Sequence, residues 1–310
     1  MKKTNLILAL ALLTSSCHNT SELKIIAPTG APSVAFYFEA DNKNFETNST
    51  PANIVSMMTN KSDKDIVVID TVSGIKAINK GAPYKIAATV TFGNFYIAST
   101  GNDDNGVMET DDTIVLFGQN QTPDYIFHYL YGDIFDSNVE YVNNVQDAAK
   151  CLASGKNITT GSTIDYVFIA QPVLYTILNN KDSLTYGKAS VYKDIQEEYK
   201  NKTNNMPLIQ ASVFVNNKTS EKDIKKYLKT LEDKINDALD NPEVITSQSN
   251  SLSDEELLAL YGINLNVAKK VIENNNSLGL GYKEAKENKE AIDKFVNLFN
   301  MGDTDEEIYF

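Results

Sequence analysis

The sequence predicts an α/β protein built of two lobes, each a doubly wound, mostly parallel sheet flanked by helices. Apolar, strand-like runs alternate with amphipathic helical patterns along most of the chain, which is typical of such sheets. Two stretches, residues 24–39 and 113–130, lead from an apolar strand through a polar turn with proline into a helix. Such turns lie at the carboxyl ends of strands and face the ligand, so two of them far apart in the chain favour two lobes sharing one cleft.

Composition limits the function. The chain has 310 residues, enough for two lobes that each bury a core, and its 42% hydrophobic and 22% charged residues are typical of globular proteins. The net charge of −13 argues against a nucleic-acid partner, because neutralising phosphates requires a clustered basic surface. The chain contains no arginine, so it cannot form a bidentate guanidinium clamp on a sulfonate, nitrate or phosphate.

The N-terminus has the pattern of a processing signal. Lys2 and Lys3 precede an apolar run at residues 6–13, and small residues lead to Cys17. This end resembles the lipobox of bacterial lipoproteins, although Thr14 stands where that motif usually has leucine. We therefore predict a signal peptide over 1–17, lipidation of Cys17 and a tether over 18–23. The alternative is a secretory peptide with an incidental cysteine.

The order of the elements predicts how the chain is divided. The β-rich run at 84–98 is interrupted by a single glycine, and the polar segment 99–112 is interpreted as the crossing between lobes. The run at 207–215 is predicted to return the chain to the first lobe. We therefore assign 24–98 together with 207–310 to lobe 1, and 99–206 to lobe 2.

The two turns supply the first candidate ligand-binding residues. The free N–H groups of a helix start form a site for a polar or anionic group, and glycine allows a close approach of the backbone. The candidates from the two turns are Thr29, Gly30, Ala31 and Ser33 in lobe 1, and Gly118, Gln119, Asn120, Gln121 and Thr122 in lobe 2. The alternative for Thr122 and the following Pro123 and Asp124 is an ordinary helix start with a cap, a proline and a first-turn acid.

Three further candidates lie after the strand that ends at Ile69. Thr71 and Ser73 offer hydroxyl groups to a ligand. Asp70 is a partner for a cationic or amino-bearing ligand, or alternatively a cap of the turn.

The remaining candidates lie at an interrupted strand and at two glutamines. Phe92, Gly93 and Asn94 interrupt a strand, which indicates a bend or the close approach of a ligand; Phe92 either stacks on a flat ring or packs in the core. Gln171 and Gln210 are polar residues in apolar surroundings and need a partner, either a ligand or an internal hydrogen bond.

Catalysis has no support in the sequence. His128 lies in a helical pattern among aromatic residues, and His18 lies in the tether. No nucleophile elbow, P-loop or paired zinc-ligand spacing is present. We therefore expect no catalytic residue, no metal and no cofactor.

Seven segments in this order resemble the substrate-binding lipoproteins of bacterial ABC importers, in particular the thiamine-pyrimidine, nitrate, sulfonate and taurine group. They are IAPTGAPSVAFY, DIVVIDT, YKIAATVTFGNFYIAS, VLFGQNQTPDYIFHYL, VNNVQDAAKCLASGK, FIAQPVL and MPLIQASVFV. The likeness extends over nearly all of residues 24–310. Segment 274–281 departs from it, because relatives carry an arginine and a serine there, and its binding role stays open.

The resemblance implies a fold and a function. The fold would be that of a type II periplasmic binding protein, whose two lobes close on a ligand about a hinge. The protein would be a monomeric, lipid-anchored receptor on the outer face of the cytoplasmic membrane, or periplasmic, serving an ABC permease and its ATPase. The ligand favoured by the residues is a flat heterocycle such as a thiamine-related pyrimidine. Alternatives are a small anion such as sulfonate, taurine or nitrate, a pyrimidine-handling enzyme, or a surface sensor.

Overall fold

The computed structural model describes residues 22–60, 63–103, 105–135, 138–247 and 251–310. The predicted signal peptide, the predicted lipidation of Cys17 and the tether up to residue 21 lie outside these residues. Within the described ranges, no helix combines the length and the apolar character needed to cross a bilayer.

The described strands form two sheets, one of six strands and one of five. The strands are β1 (Ile25–Pro28), β2 (Phe45–Asn48), β3 (Ile66–Asp70), β4 (Tyr84–Phe92), β5 (Phe95–Ser99), β6 (Ile114–Phe117), β7 (Val139–Val142), β8 (Tyr166–Ala170), β9 (Ser190–Asp194), β10 (Ile209–Asn216) and β11 (Leu280–Glu284).

The α-helices alternate with these strands over most of the described chain. They are α1 (Ala31–Val34), α2 (Pro51–Thr59), α3 (Thr71–Asn79), α4 (Thr122–Phe135), α5 (Val145–Ser154), α6 (Val173–Leu178), α7 (Ile195–Lys202), α8 (Glu221–Asp240), α9 (Asp254–Tyr261), α10 (Leu265–Glu273) and α11 (Lys289–Val296).

Both sheets are mostly parallel in strand direction. The first sheet has the order β11-β4-β10-β3-β1-β2, and its strands β1 to β4 run one way while β10 and β11 run the other. The second has the order β7-β6-β8-β5-β9, in which only β5 runs against the rest. The predicted class, two mostly parallel sheets flanked by helices, is confirmed.

Helices cover both faces of each sheet. Helices α1, α8 and α10 pack on one face of the first sheet, and α5 and α6 on one face of the second. The opposite faces share one buried cluster with α2, α3, α4, α7 and α11. This cluster contains side chains of both sheets, among them Val67 and Phe168, so an apolar contact joins the two sheets.

The chain leaves the first sheet earlier than predicted. Strand β5 pairs with β8 and β9 of the second sheet, so the first crossing is at Gly93 and Asn94, and 99–112 lies within the second-sheet part of the chain. The boundary placed after residue 98 is therefore too late. The chain returns between α7 and β10, and β10 lies between β3 and β4 as predicted for the returning strand.

The sequence pattern predicts a helical region over 254–272 and a closing helix over 283–298, and the structure refines the first and changes the second. The region 254–272 is two helices, because Gly262 ends α9 with a left-handed φ of 68°. The predicted closing helix over 283–298 begins instead as strand β11, which pairs with β4, and only 289–296 are α-helical.

A buried carboxylate gives the core a pH dependence. Glu39 is 3% exposed, and its carboxylate accepts a hydrogen bond of 2.7 Å from Nδ2 of Asn42. Burial raises the pKa of Glu39, and the hydrogen bond from Asn42 opposes this only in part. The folded state therefore holds this proton to a higher pH than the unfolded chain does.

We predict that Glu39→Gln raises the unfolding temperature at pH 7. The pKa of Glu39 is higher in the folded state, so the ionised carboxylate destabilises the fold at pH values above that pKa. This destabilisation disappears as the pH falls towards the pKa of glutamate in the unfolded chain, about 4.3. The gain should accordingly shrink between pH 7 and pH 4 in thermal unfolding followed by circular dichroism. Glu287→Gln, which removes the same charge from an exposed position, is the control. An equal, pH-independent shift in both variants would contradict the role of burial.

Candidate ligand-binding cleft

The backbone amides of the turn after β1 donate hydrogen bonds to carbonyl groups of the protein itself. The amide of Thr29 donates to the carbonyl of Asn48 at 3.2 Å, and that of Gly30 to the carbonyl of Tyr261 at 2.7 Å. The Ser33 hydroxyl is fully buried and bonds the same Tyr261 carbonyl at 3.1 Å. Gly30 has a φ of 105°, which favours glycine.

The helix that follows is too short to act as predicted. The sequence pattern predicts a helix over 32–40, but the structure has the single turn α1 followed by a 3₁₀ turn at Tyr37–Glu39. The buried aromatic side chains of this segment contact different parts of the protein. Phe36 stacks on Phe45, whereas the Tyr37 hydroxyl donates to the carbonyl of Lys234. Ala31 is 7% exposed. The predicted anion-holding helix start is therefore not formed here, and the half-buried Thr29 side chain lies nearest the surface of this turn.

The turn after β6 keeps exposed amide side chains. Gln119, Asn120 and Gln121 are exposed, and Gly118 and Asn120 adopt left-handed φ values of 71° and 61°. The backbone amide of Asn120 donates to Asp124 at 2.7 Å. This turn therefore presents amide side chains in front of helix α4.

Asp124 and His128 have structural contacts. Asp124 is 7% exposed, accepts a hydrogen bond from the Tyr141 hydroxyl at 2.7 Å and lies 3.1 Å from Nε2 of His128. Asp124 thus fixes the turn and links α4 to β7. This contact is that of a first-turn acid in an ordinary helix start, the alternative stated for this residue in the sequence analysis.

Asp70 joins the two sheets. One oxygen of its carboxylate accepts from the amide of Ser73 at 2.9 Å and caps α3. The other accepts from the hydroxyl of Thr122, at the start of α4, at 3.1 Å. Burial raises the pKa of Asp70, against the hydrogen bonds from Ser73 and Thr122. The carboxylate is therefore both a cap and a polar group between the sheets.

Four of the predicted site residues form one hydrogen-bonded chain between the sheets. Nε2 of Gln210 donates to Oδ1 of Asn94 at 2.7 Å, and Nδ2 of Asn94 donates to the carbonyl of Gln171 at 3.1 Å. The buried Thr71 hydroxyl donates to the carbonyl of Gln210 at 3.0 Å. We call Asp70, Thr71, Asn94, Thr122, Gln171 and Gln210 the polar seam.

Gln196 holds the two crossings together. Its side-chain oxygen accepts from the amide of Gly93 at 3.0 Å and from the amide of Leu208 at 3.1 Å, one in each crossing. The sequence did not identify this residue, because it lies in the polar helix α7 and no local pattern distinguishes it. Asp194 caps that helix through the amides of Gln196 and Glu197.

Segment 274–281 packs against the first crossing. The Phe92 amide donates to the carbonyl of Gly279 at 2.7 Å, and a Cβ on Gly281 would lie 2.8 Å from the Phe92 ring. At least one side of the Phe92 ring therefore packs inside the protein, and the segment supports the cleft at its first crossing.

The polar seam offers hydroxyl groups, amides and one carboxylate at the edges where the two sheets meet. Across the described ranges, no group of three or more His, Cys, Asp or Glu side chains could hold a metal ion. These donors and acceptors suit a small polar molecule held by hydrogen bonds.

The fold is that of the periplasmic binding proteins of ABC importers. An ABC transporter structure from Parabacteroides distasonis has a TM-score of 0.69 at 19% identity, over 91% of this chain and 92% of that chain. The aliphatic sulphonate-binding protein SsuA of Escherichia coli has a TM-score of 0.62 at 13% identity, over 90% and 86%. A ligand-binding component of an ABC-type import system from Staphylococcus aureus has 0.60 at 10% identity, over 93% and 95%. The sequence itself matches no protein-family model and no curated protein.

We predict that Gly93→Ala destabilises the protein through Gln196. The added Cβ would lie 2.4 Å from the Gln196 side-chain oxygen and 2.9 Å from Cδ2 of Leu208, and such overpacking costs about 1–3 kcal/mol. Gln196→Ala leaves two amides without their acceptor. In the double variant the clash with Gln196 is gone, so the two losses should be less than additive in a urea-unfolding double-mutant cycle. Strict additivity would contradict the coupling.

Proposed function

We propose that this chain is the solute receptor of an ABC importer, which encloses a small molecule between two lobes and delivers it to a permease. The lobes we propose are the first sheet with its helices, and the second sheet with the helices of residues 95–202. The observation that carries the proposal is the polar seam, in which side chains from the carboxyl ends of both sheets meet between two chain crossings. That is where open α/β sheets bind ligands.

The crossings suit a closing motion. Hinges are a few residues at the ends of elements that absorb the rotation, and here both crossings are short and are held by Gln196. The contact of Thr122 with Asp70 and the ring contact of Tyr125 with Phe299, at 4.7 Å between centroids, are made between the two lobes. Closure would therefore form and break contacts of this kind.

The ligand we propose is a flat, hydrogen-bonding heterocycle such as a thiamine-related pyrimidine. The chain has no arginine, and the cleft is lined with amides and hydroxyls that match the edge of such a ring. A small anion such as sulfonate, taurine or nitrate is the second candidate, because several proteins of this fold are named as sulfonate-binding proteins. The site residues predicted from the sequence remain proposals for its contacts.

We predict that the full chain, purified in mild detergent, gains thermal stability from a heterocycle of this class. At a concentration 100 times its Kd, a ligand stabilises the folded state by about 2.7 kcal/mol, which shifts the unfolding temperature by several degrees. The screen pairs heterocycles with sulfonates and nitrate, and native mass spectrometry identifies any small molecule that co-purifies. Stabilisation by sulfonates alone would contradict the heterocycle. No ligand in either assay would contradict the receptor.

We also propose that the mature protein is exported and held at the outer face of the cytoplasmic membrane through a lipid on Cys17. In a bacterial host, the chain should incorporate labelled palmitate and fractionate with membranes. Cys17→Ser should abolish both, whereas Cys151→Ser should retain both, because Cys151 is a buried free thiol. Incorporation of label into the Cys17→Ser protein, or none into the wild type, would contradict the anchor.

A further inference from the structure

The position of Asp70 indicates which class of ligand the cleft accepts. Asp70 ends β3 at the carboxyl edge of the first sheet, and its carboxylate faces the turn in front of α4. The partners of its two oxygens are the Ser73 amide and the Thr122 hydroxyl. Both are neutral donors. Neither donor carries a positive charge that would compensate an ionised Asp70.

No protein cation compensates this charge at close range. Among the residues that the structure describes, no lysine or histidine nitrogen lies within 4.0 Å of the Asp70 carboxylate. The lysine that acts on it electrostatically is Lys76, which is exposed and lies over the Phe299 ring at 5.8 Å from its centroid. An exposed ammonium group is screened by water and salt, so it offsets little of a carboxylate in a cleft.

The start of α4 is already occupied by carboxylates. Asp124 accepts the Asn120 amide in front of the helix, and Asp70 accepts the Thr122 hydroxyl at its first residue. A helix start attracts an anion through unpaired N–H groups and the helix dipole. Here two negative groups of the protein take up that attraction, and a third negative charge from a ligand would be repelled by both.

We propose that Asp70 is the subsite for a nitrogen donor of the ligand, either a protonated amine or the amino edge of a basic heterocycle. This inference rests on the proposed receptor function and narrows its substrate class. A ligand N–H would bond the Asp70 oxygen that Thr122 now contacts, or share it with Thr122. The subsite would discriminate against sulfonate and nitrate, because neither can donate a hydrogen bond and both carry the wrong charge.

The net charge of the chain acts in the same direction. At −13, the protein creates a negative potential that raises the local concentration of cations and lowers that of anions. Hydrogen bonds to a charged group are roughly twice as strong as neutral ones. The Asp70 subsite should therefore contribute about 10- to 100-fold to affinity for a nitrogen donor.

The test compares matched ligand pairs on the full chain in detergent by titration calorimetry. Each pair exchanges an amino or imino nitrogen, in the member called the nitrogen member, for an oxygen: 4-aminopyrimidine and pyrimidin-4-one, benzylamine and benzyl alcohol, benzamidine and benzamide. Ethanesulfonate and nitrate are the anionic probes. The variants are Asp70→Asn and Asp70→Ser, which both remove the charge while keeping an oxygen that can cap α3. Glu287→Gln, which removes one carboxylate charge from an exposed position, is the matched control.

The expected result is that the wild type binds the nitrogen member of at least one pair 10-fold or more tightly than its oxygen counterpart. Both Asp70 variants should lose this preference, and Glu287→Gln should keep it. Any small molecule that co-purifies should contain a basic nitrogen.

Three results would overturn the inference. If ethanesulfonate or nitrate binds most tightly, the receptor function stands and the nitrogen subsite does not. If the preference for nitrogen survives in Asp70→Asn and in Asp70→Ser, Asp70 is only a cap of α3. If no probe binds and nothing co-purifies with folded protein, the receptor function fails together with the subsite.

Discussion

The cleft depends on the hydrogen bonds that the backbone amides make where the chain crosses between the two sheets. An amide left without an acceptor in such a junction costs about 1–3 kcal/mol. The side-chain oxygen of Gln196 serves the amides of both crossings, and Asn94 exchanges hydrogen bonds with the backbone of Gln171. These contacts fix the crossings relative to each other, and thereby bring the carboxyl ends of both sheets to face one cleft.

The same hydrogen bonds limit what a ligand can use. Thr71, Asn94 and Gln210 bond one another or the backbone, and the amide of Gly30 and the hydroxyl of Ser33 bond the carbonyl of Tyr261. A ligand would have to replace these bonds at comparable strength. The exposed side chains of 119–121 and the Asp70 carboxylate do not bond one another. They are therefore the better candidates for the groups that select the ligand.

Much of this could be predicted from the sequence, and the failures have physical reasons. The fold class follows from the apolar runs, and the polar residues embedded in them mark Gln171 and Gln210 as groups that need a partner. The first crossing lies earlier in the chain than the sequence predicts. Both β4 and β5 are apolar strands, and an apolar pattern does not indicate to which sheet a strand belongs. Strand β11 overlaps the helix predicted over 283–298, because its half-exposed residues form a strand only by pairing with β4. Gln196 was missed because its role requires two distant amides to meet.

The ligand class that we propose rests on the side chains at the ends of the strands and not on the fold. Proteins of this fold include sulfonate-binding ones, and a backbone of this shape can present amides to an anion. In this chain the amides of the first turn bond its own carbonyl groups, and α4 begins beside two of its own carboxylates. Without arginine, the chain has no guanidinium group that could reverse the resulting negative charge. These features support the electropositive ligand that we propose, since electrostatic complementarity selects between partners of equal shape.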